Sequence, residues 1–244
     1  MEFRFIGCGD AFGSGGRFNT CFLVRGEAST FLIDCGATSL VAMRQQDVDP
    51  GCVDAVFVSH LHGDHFGGLP FLILDAQFVG RRTRPLVIAG PPGIERRLED
   101  ATEVLYPGFW RAERGFELRI VELEAEMERE IAGARVTPYP VRHFSGAPSY
   151  ALRIVADGRV LSYSGDTEWV DVLVEASRDA DLFVCECNGF EAPVRSHLNL
   201  TTLREKRSLL TAKRLILTHL GPQMLAHRDE VEIEQAFDGK VVEL

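Results

Sequence analysis

His60-Leu61-His62-Gly63-Asp64-His65-Phe66-Gly67-Gly68 follows directly on the apolar run Ala55-Val56-Phe57-Val58-Ser59. Four ligand-type side chains, His60, His62, Asp64 and His65, therefore fall within six residues at the end of a buried strand. His and Asp are rarely buried without partners, and burying four together is costly unless a cation satisfies them. Imidazole and carboxylate suit Zn2+ and neighbouring first-row metals. In an extended loop, alternation would turn His60 and His62 toward one ion and Asp64 and His65 toward a second.

A motif this short cannot close two coordination shells, so further His or Asp residues are expected at strand ends downstream. His143 follows Val136–Val141, Asp166 ends Val160–Gly165, and His219 ends Leu215–Thr218. A lone strand-end His is commonly a hydrogen-bonded structural residue. As a set, the three complete the first motif.

The surrounding pattern predicts strands at Phe3–Ile6, Thr20–Val24, Thr30–Ile33 and Asp54–Ser59, with a helix at Ala37–Gln46. Leu69–Phe78 and Gly93–Tyr106 read as helices on either side of a strand at Pro85–Ala89. Leu118–Leu123, Ala134–Tyr139, Tyr150–Ala156 and Arg159–Ser164 read as strands of a second sheet. Asp157-Gly158 is a two-residue hairpin turn between the last pair. Helices at Thr167–Ser177, Leu200–Leu210 and Ala226–Ala236 then alternate with strands at Leu182–Cys187, Arg214–Thr218 and Lys240–Glu243. Runs of strands punctuated by helices in both halves suit an α+β protein: two mixed sheets face to face, with helices on the outer faces. No repeat or linker divides the chain, so residues 1–244 are expected to form a single domain. Gly7-Cys8-Gly9-Asp10-Ala11-Phe12-Gly13 has the outline of a dinucleotide fingerprint, which requires a helix after the loop. The loop leads instead into the strand-like Thr20-Cys21-Phe22-Leu23-Val24, and a strand-to-strand connection is the better reading.

The formal net charge of −10 argues against extended nucleic-acid binding, which needs clustered Lys and Arg. No apolar run reaches the roughly 18 residues of a membrane span, and the N-terminus carries no signal-peptide pattern. A cytoplasmic protein with no membrane contact is the expectation. Six scattered cysteines form no secreted-type framework; in Cys185-Glu186-Cys187 the thiols read as core residues rather than ligands.

With these residues in view, the chain resembles the metallo-β-lactamase superfamily over nearly its whole length. The resemblance implies a four-layer αβ/βα sandwich. It implies two divalent ions, Zn2+ with Mn2+ or Fe as alternatives: His60, His62 and His143 on one, Asp64, His65 and His219 on the other, Asp166 bridging. Within the superfamily, several stretches are similar to the ribonuclease Z group of phosphodiesterases. They are His62–Pro70, Pro85–Pro91, His143 with Pro148-Ser149-Tyr150, and Ser164-Gly165-Asp166-Thr167. Glu186 and His197 also stand where that group carries a Glu and a His, the latter acting on the leaving group. Asp64 then either combines metal binding with acceptance of a water proton or serves as a metal ligand alone.

Two departures narrow the substrate. His143 and Asp166 are joined by little more than one hairpin, where tRNA-processing members insert a long arm. Gly221-Pro222-Gln223-Met224 replaces their Ser-x-Arg-Tyr. A small phosphodiester, of cyclic-nucleotide or oligonucleotide type, is the expected substrate. A lactonase- or thioesterase-type hydrolase on the same metal core and a tRNA 3′-end endonuclease are the alternatives. The resemblance also carries an expectation of a homodimer. The aromatic stretch from Tyr106 to Phe116 could serve as a lid, a base-stacking wall, a dimer contact or a hydrophobic minicore; His227 reads as a surface residue.

Overall fold

Alternating side chains in the first strands decide how the sandwich closes. In β1 (Glu2–Gly7), Phe3 and Phe5 enter one buried cluster while Ile6 enters another. In β2 (Cys21–Arg25), Phe22 and Val24 join the two phenylalanines, and Cys21 and Leu23 join Ile6. Both faces of β2 are covered, which is why Cys21–Val24 reads as a continuous apolar run, whereas β1 begins with charged Glu2 and Arg4 alternating with Phe3 and Phe5.

The computed structural model describes residues 1–244. After β2 come β3 (Thr30–Ile33), α1 (Ser39–Gln45), β4 (Ala55–Phe57), α2 (Gly63–Phe66) and α3 (Leu69–Phe78). Next are β5 (Leu86–Gly90), α4 (Ile94–Leu105), β6 (Leu118–Glu122), β7 (Arg129–Ile131) and β8 (Ala134–Pro140). β9 (Tyr150–Ala156), β10 (Arg159–Tyr163), α5 (Val172–Ala176), β11 (Leu182–Glu186) and α6 (Leu200–Lys206) follow. The chain ends with β12 (Leu215–Thr218), α7 (Pro222–Ala226), β13 (Glu234–Gln235) and β14 (Val241–Glu243).

The strands form two seven-stranded mixed sheets, ordered β14-β1-β2-β3-β4-β5-β6 and β13-β12-β11-β10-β9-β8-β7. In each, an antiparallel half gives way to a parallel half, at β3–β4 in the first and at β10–β11 in the second. Between the sheets, Phe22 meets Tyr163 edge to face at 5.2 Å; burying such a ring is worth roughly 2–3 kcal/mol. A second apolar cluster fills the space between the first sheet and α1, α3 and α4, and a third lies between the second sheet and α5, α6 and α7. The four-layer αβ/βα sandwich expected from the sequence is thus present.

Several elements differ from the sequence reading. Leu118–Glu122 belongs to the first sheet, pairing parallel with β5 from Leu86↔Leu118 to Gly90↔Glu122. The β5–α4–β6 crossover returns the chain beside the strand it left, and the second sheet opens one strand later, with β7. The helix expected over Thr167–Ser177 is confined to Val172–Ala176. The Thr167 N–H is taken by Glu186 Oε1 at 2.6 Å, so that segment is spent on a tertiary contact. The helix expected over Ala226–Ala236 lies earlier, at Pro222–Ala226, where Pro222 takes the N-terminal position that suits it. The following chain extends into β13, whose Glu234 pairs with Arg214 at 2.7 Å. The Asp157-Gly158 turn is as expected, with both residues at positive φ (48° and 71°). No helix is long and apolar enough to cross a membrane.

Candidate metal centre

β4, β8, β10, β11 and β12 all deliver their C-terminal ends to one edge of the sandwich. From those ends come His60, His143, Asp166, Glu186 and His219. The chain after β4 is extended only as far as His62. Gly63–Phe66 then forms one helical turn rather than the extended loop expected, and that turn carries Asp64 and His65. Gly68 fixes the turn against the strand-end loop beside it: a Cβ there would lie 2.2 Å from the Gly36 carbonyl oxygen.

The seven residues singled out in the sequence converge. Donor atoms of His60, His62 and His143 form one group and those of Asp64, His65, Asp166 and His219 another, with all atoms in each group within 4.8 Å of one another. Asp166 Oδ2 is the hub. It lies 3.2 Å from His65 Nε2, 3.4 Å from His219 Nε2, 3.8 Å from His60 Nε2 and 3.9 Å from His143 Nε2. Asp64 Oδ2 is 3.2 Å from both His65 Nε2 and His219 Nε2.

The surrounding hydrogen bonds select the tautomers. Asp34 Oδ2 accepts from His65 Nδ1 at 2.7 Å and from Ser59 Oγ at 2.8 Å. Having donated its proton to Asp34, Ser59 Oγ can only accept from His60 Nδ1, 3.1 Å away. The Ser196 carbonyl accepts from His143 Nδ1 at 2.9 Å. In the neutral rings of His60, His65 and His143, the Nε2 lone pair is therefore left facing the cluster.

Asp34 escaped the sequence reading. It is fully buried and held at φ 58°, and its other oxygen accepts from the Ser59 N–H at 2.7 Å. Its signal was a polar residue closing the apolar run Thr30–Ile33, which is weak when taken singly.

Whether these residues suit a divalent cation can be judged from what they leave unpaired. His60 Nε2, His65 Nε2 and Asp166 Oδ1 are buried and have no hydrogen-bond partner. Leaving such groups orphaned costs about 1–3 kcal/mol each, and a cation at the hub would satisfy them. Charge points the same way. Burial pushes the pKa values of His60, His62 and His143 down, leaving them neutral. Burial acts in the same direction on His65 and His219, but the neighbouring carboxylates outweigh it and raise both. Burial opposes ionisation of Asp166, yet the histidines around it hold its carboxyl well below the usual range. A local excess of negative charge thus holds protons that a metal would displace. The donor set fits divalent metal.

Glu186 and His197 are brought together beside this cluster. His197 Nδ1 lies 2.9 Å from Glu186 Oε1 and 4.0 Å from Asp166 Oδ2. Burial lowers the His197 pKa, but the hydrogen bond to Glu186 and its charge outweigh that and raise it to about 9. Its Nε2 has no protein partner, and the ring lines a cleft of about 250 Å³ together with His62, Asp64, His143, Asp166 and His219. On the other face of β11, Cys185 and Cys187 are buried in the apolar cluster beneath α6.

The aromatic stretch does not reach this cleft. Phe109 and Phe116 are buried against the first sheet's helices, Tyr106 packs on Phe71 at 6.0 Å, and the Arg114 guanidinium sits 5.0 Å from the Trp110 ring centre. His227 is exposed, as expected, and pairs with Glu230.

Comparison with known proteins finds relatives along nearly the whole chain. A family model described as Anti-Pycsar protein Apyc1 matches residues 1–238. Among curated relatives, the chain is 24% identical to ribonuclease Z of Lachnospira eligens, over 94% of this chain and 93% of that one. It is 29% identical to ribonuclease Z of Bacillus mycoides, over 91% and 89% respectively. Among solved structures, the short form of human tRNase Z superposes with a TM-score of 0.79 at 25% identity, covering 100% of this chain and 99% of that one. The metallo-β-lactamase fold protein YhfI of Bacillus subtilis gives 0.77 at 23% identity, covering 100% and 99%, a likeness of fold.

Proposed function

The chain belongs to the Anti-Pycsar protein Apyc1 family, and on that footing we propose that this metal-dependent hydrolase of metallo-β-lactamase fold is a dinuclear phosphodiesterase. Its substrate is a small phosphodiester of cyclic-nucleotide or oligonucleotide type. The observation that carries the reading is the placement of Asp166: one carboxylate oxygen within 4.0 Å of five imidazoles, with the Glu186–His197 pair alongside.

In this assignment His60, His62 and His143 would hold one ion and Asp64, His65 and His219 the other, with Asp166 placed to serve both groups. Zn2+ suits such His and Asp donors, as do Mn2+ and Fe. Divalent ions there supply Lewis acidity toward the phosphoryl oxygens and the attacking water. Asp64 orients that water. Burial disfavours its charge, but His65 and His219 hold its carboxyl far below the ordinary range, so it stays an anionic acceptor that orients the water. The proton the water loses passes to bulk solvent. His197 donates the Nε2 proton to the leaving alkoxide as the P–O bond breaks, and Glu186 holds the ring by Nδ1. The raised pKa of His197 supports this role, because it keeps the ring protonated at neutral pH.

A small substrate is favoured over a tRNA by what lies between His143 and Asp166: a short loop and the β9–β10 hairpin, with no inserted arm. The overall charge of −10 also disfavours a long polyanion. We also propose a homodimer, supported by the exposed apolar side chains Phe78, Val79, Val104 and Leu105 on and beside α3 and α4. The chain is read as one domain, because a single buried cluster draws on the inner faces of both sheets.

Metal-loaded protein assayed on bis-p-nitrophenyl phosphate beside a panel of lactones and thioesters separates the readings. Phosphodiester turnover that chelation abolishes is expected. Lactone or thioester turnover without phosphodiester cleavage would refute the assignment.

A further inference from the structure

We infer that Phe12 is the residue on which the substrate's nucleobase stacks, so that this site selects base-bearing phosphodiesters over base-free ones. The inference rests on the phosphodiesterase reading and deepens it. Phe12 is 90% exposed, and a lone exposed aromatic is by itself unremarkable. Its position and its fixing are not. Phe12 lines the same cleft as His62, Asp64, His143, Asp166 and His197, and no other aromatic ring of the chain packs against it.

The loop that presents it is pinned from below. Asp10 is buried, and its Oδ1 accepts from the backbone N–H groups of Phe12 at 3.1 Å and Ser14 at 2.9 Å. Its Oδ2 accepts from Ser14 Oγ at 2.6 Å, and the Asn19 side-chain amide donates to its carbonyl at 3.0 Å. Gly13, at φ 64°, makes the left-handed turn directly after Phe12 that another residue would resist. The flat ring is thus held at the cleft mouth by a loop whose polar groups are already committed. The other named walls of the cleft are imidazoles, carboxylates, Asn188 and the small Ala11 and Val194. A π-faced group attached to a phosphodiester finds its apolar surface at Phe12. Stacking of this kind tolerates any base, because every base has a π-face.

The test compares wild type, Phe12→Ala and Phe12→Trp on a cyclic nucleoside monophosphate and on cyclic ribose phosphate, which lacks the base. Phe12→Ala is expected to lower the ratio of kcat/KM for base-bearing over base-free substrate about tenfold, mainly through KM. Phe12→Trp should keep the ratio. Titration of adenosine monophosphate and ribose phosphate as bound ligands gives the same ratio without turnover. Should wild type hydrolyse no phosphodiester, the functional reading falls while the binding ratio still decides the role of Phe12. An unchanged ratio in Phe12→Ala overturns the inference. So does an unchanged ratio joined to an altered oligomeric mass, which would assign the ring to a second copy of the chain.

Discussion

Asp166→Asn is expected to lower kcat/KM on phosphodiesters on the order of 10³-fold, the scale seen when a preorganised group acting on the developing charge is removed. The substitution keeps the shape and removes the charge. In the native chain that charge faces His65 Nε2 at 3.2 Å and His219 Nε2 at 3.4 Å. With an amide in its place, neither donor group has the shared carboxylate needed to hold ions close together. Metal analysis of the variant should show a lower ion content per chain, while circular dichroism remains that of the folded protein. Asp166 lies at a strand end and is buried against the cluster rather than in the apolar core, so the fold does not depend on it. Wild-type metal content joined to activity within about tenfold of wild type would remove Asp166 from its central position.

The second large effect falls on His197. General acid catalysis contributes about 10²- to 10⁴-fold, and it is needed most where the leaving group is a poor one. His197→Ala should lower kcat by that range on an alkyl leaving group such as a ribose hydroxyl. On bis-p-nitrophenyl phosphate, whose phenolate leaves without a proton, the loss should stay under about tenfold. The difference between substrates, not the size of either loss, identifies the role. A ring that merely shaped the cleft would slow both equally, and equal losses would end the assignment. The geometry favours the discriminating outcome, because Glu186 occupies Nδ1 and Nε2 is left without a protein partner.

Much of this site was legible because its ligand-type residues cluster in sequence or end strong strands. His60, His62, Asp64 and His65 announce themselves within six residues, and His143, Asp166 and His219 each close an apolar run. What could not be read is what depends on tertiary partners. Asp34 is a single acid after a strand, and only the fold brings it 2.7 Å from His65 Nδ1. The sheet to which Leu118–Glu122 belongs is set by the crossover after α4, not by its own alternation, and its half-exposed pattern suits an edge strand of either sheet. Thr167 looked helical in isolation, but its N–H is claimed by a buried glutamate nineteen residues away in sequence. The two-residue strand β13 carries too short a pattern to be recognised before β12 is there to pair with it. The αβ/βα plan recurs in both sheets without a sequence repeat, since layer packing requires apolar periodicity and not residue identity.

The claim on which the rest stands is that this constellation holds two divalent ions. The most direct measurement is the metal content of purified, dialysed wild-type protein by plasma mass spectrometry, taken alongside phosphodiesterase activity during stepwise reloading after chelation. The account predicts two ions per chain, with activity returning fully only as the second equivalent is bound. Saturation at one ion with full activity, or full activity in protein stripped of metal, would contradict it.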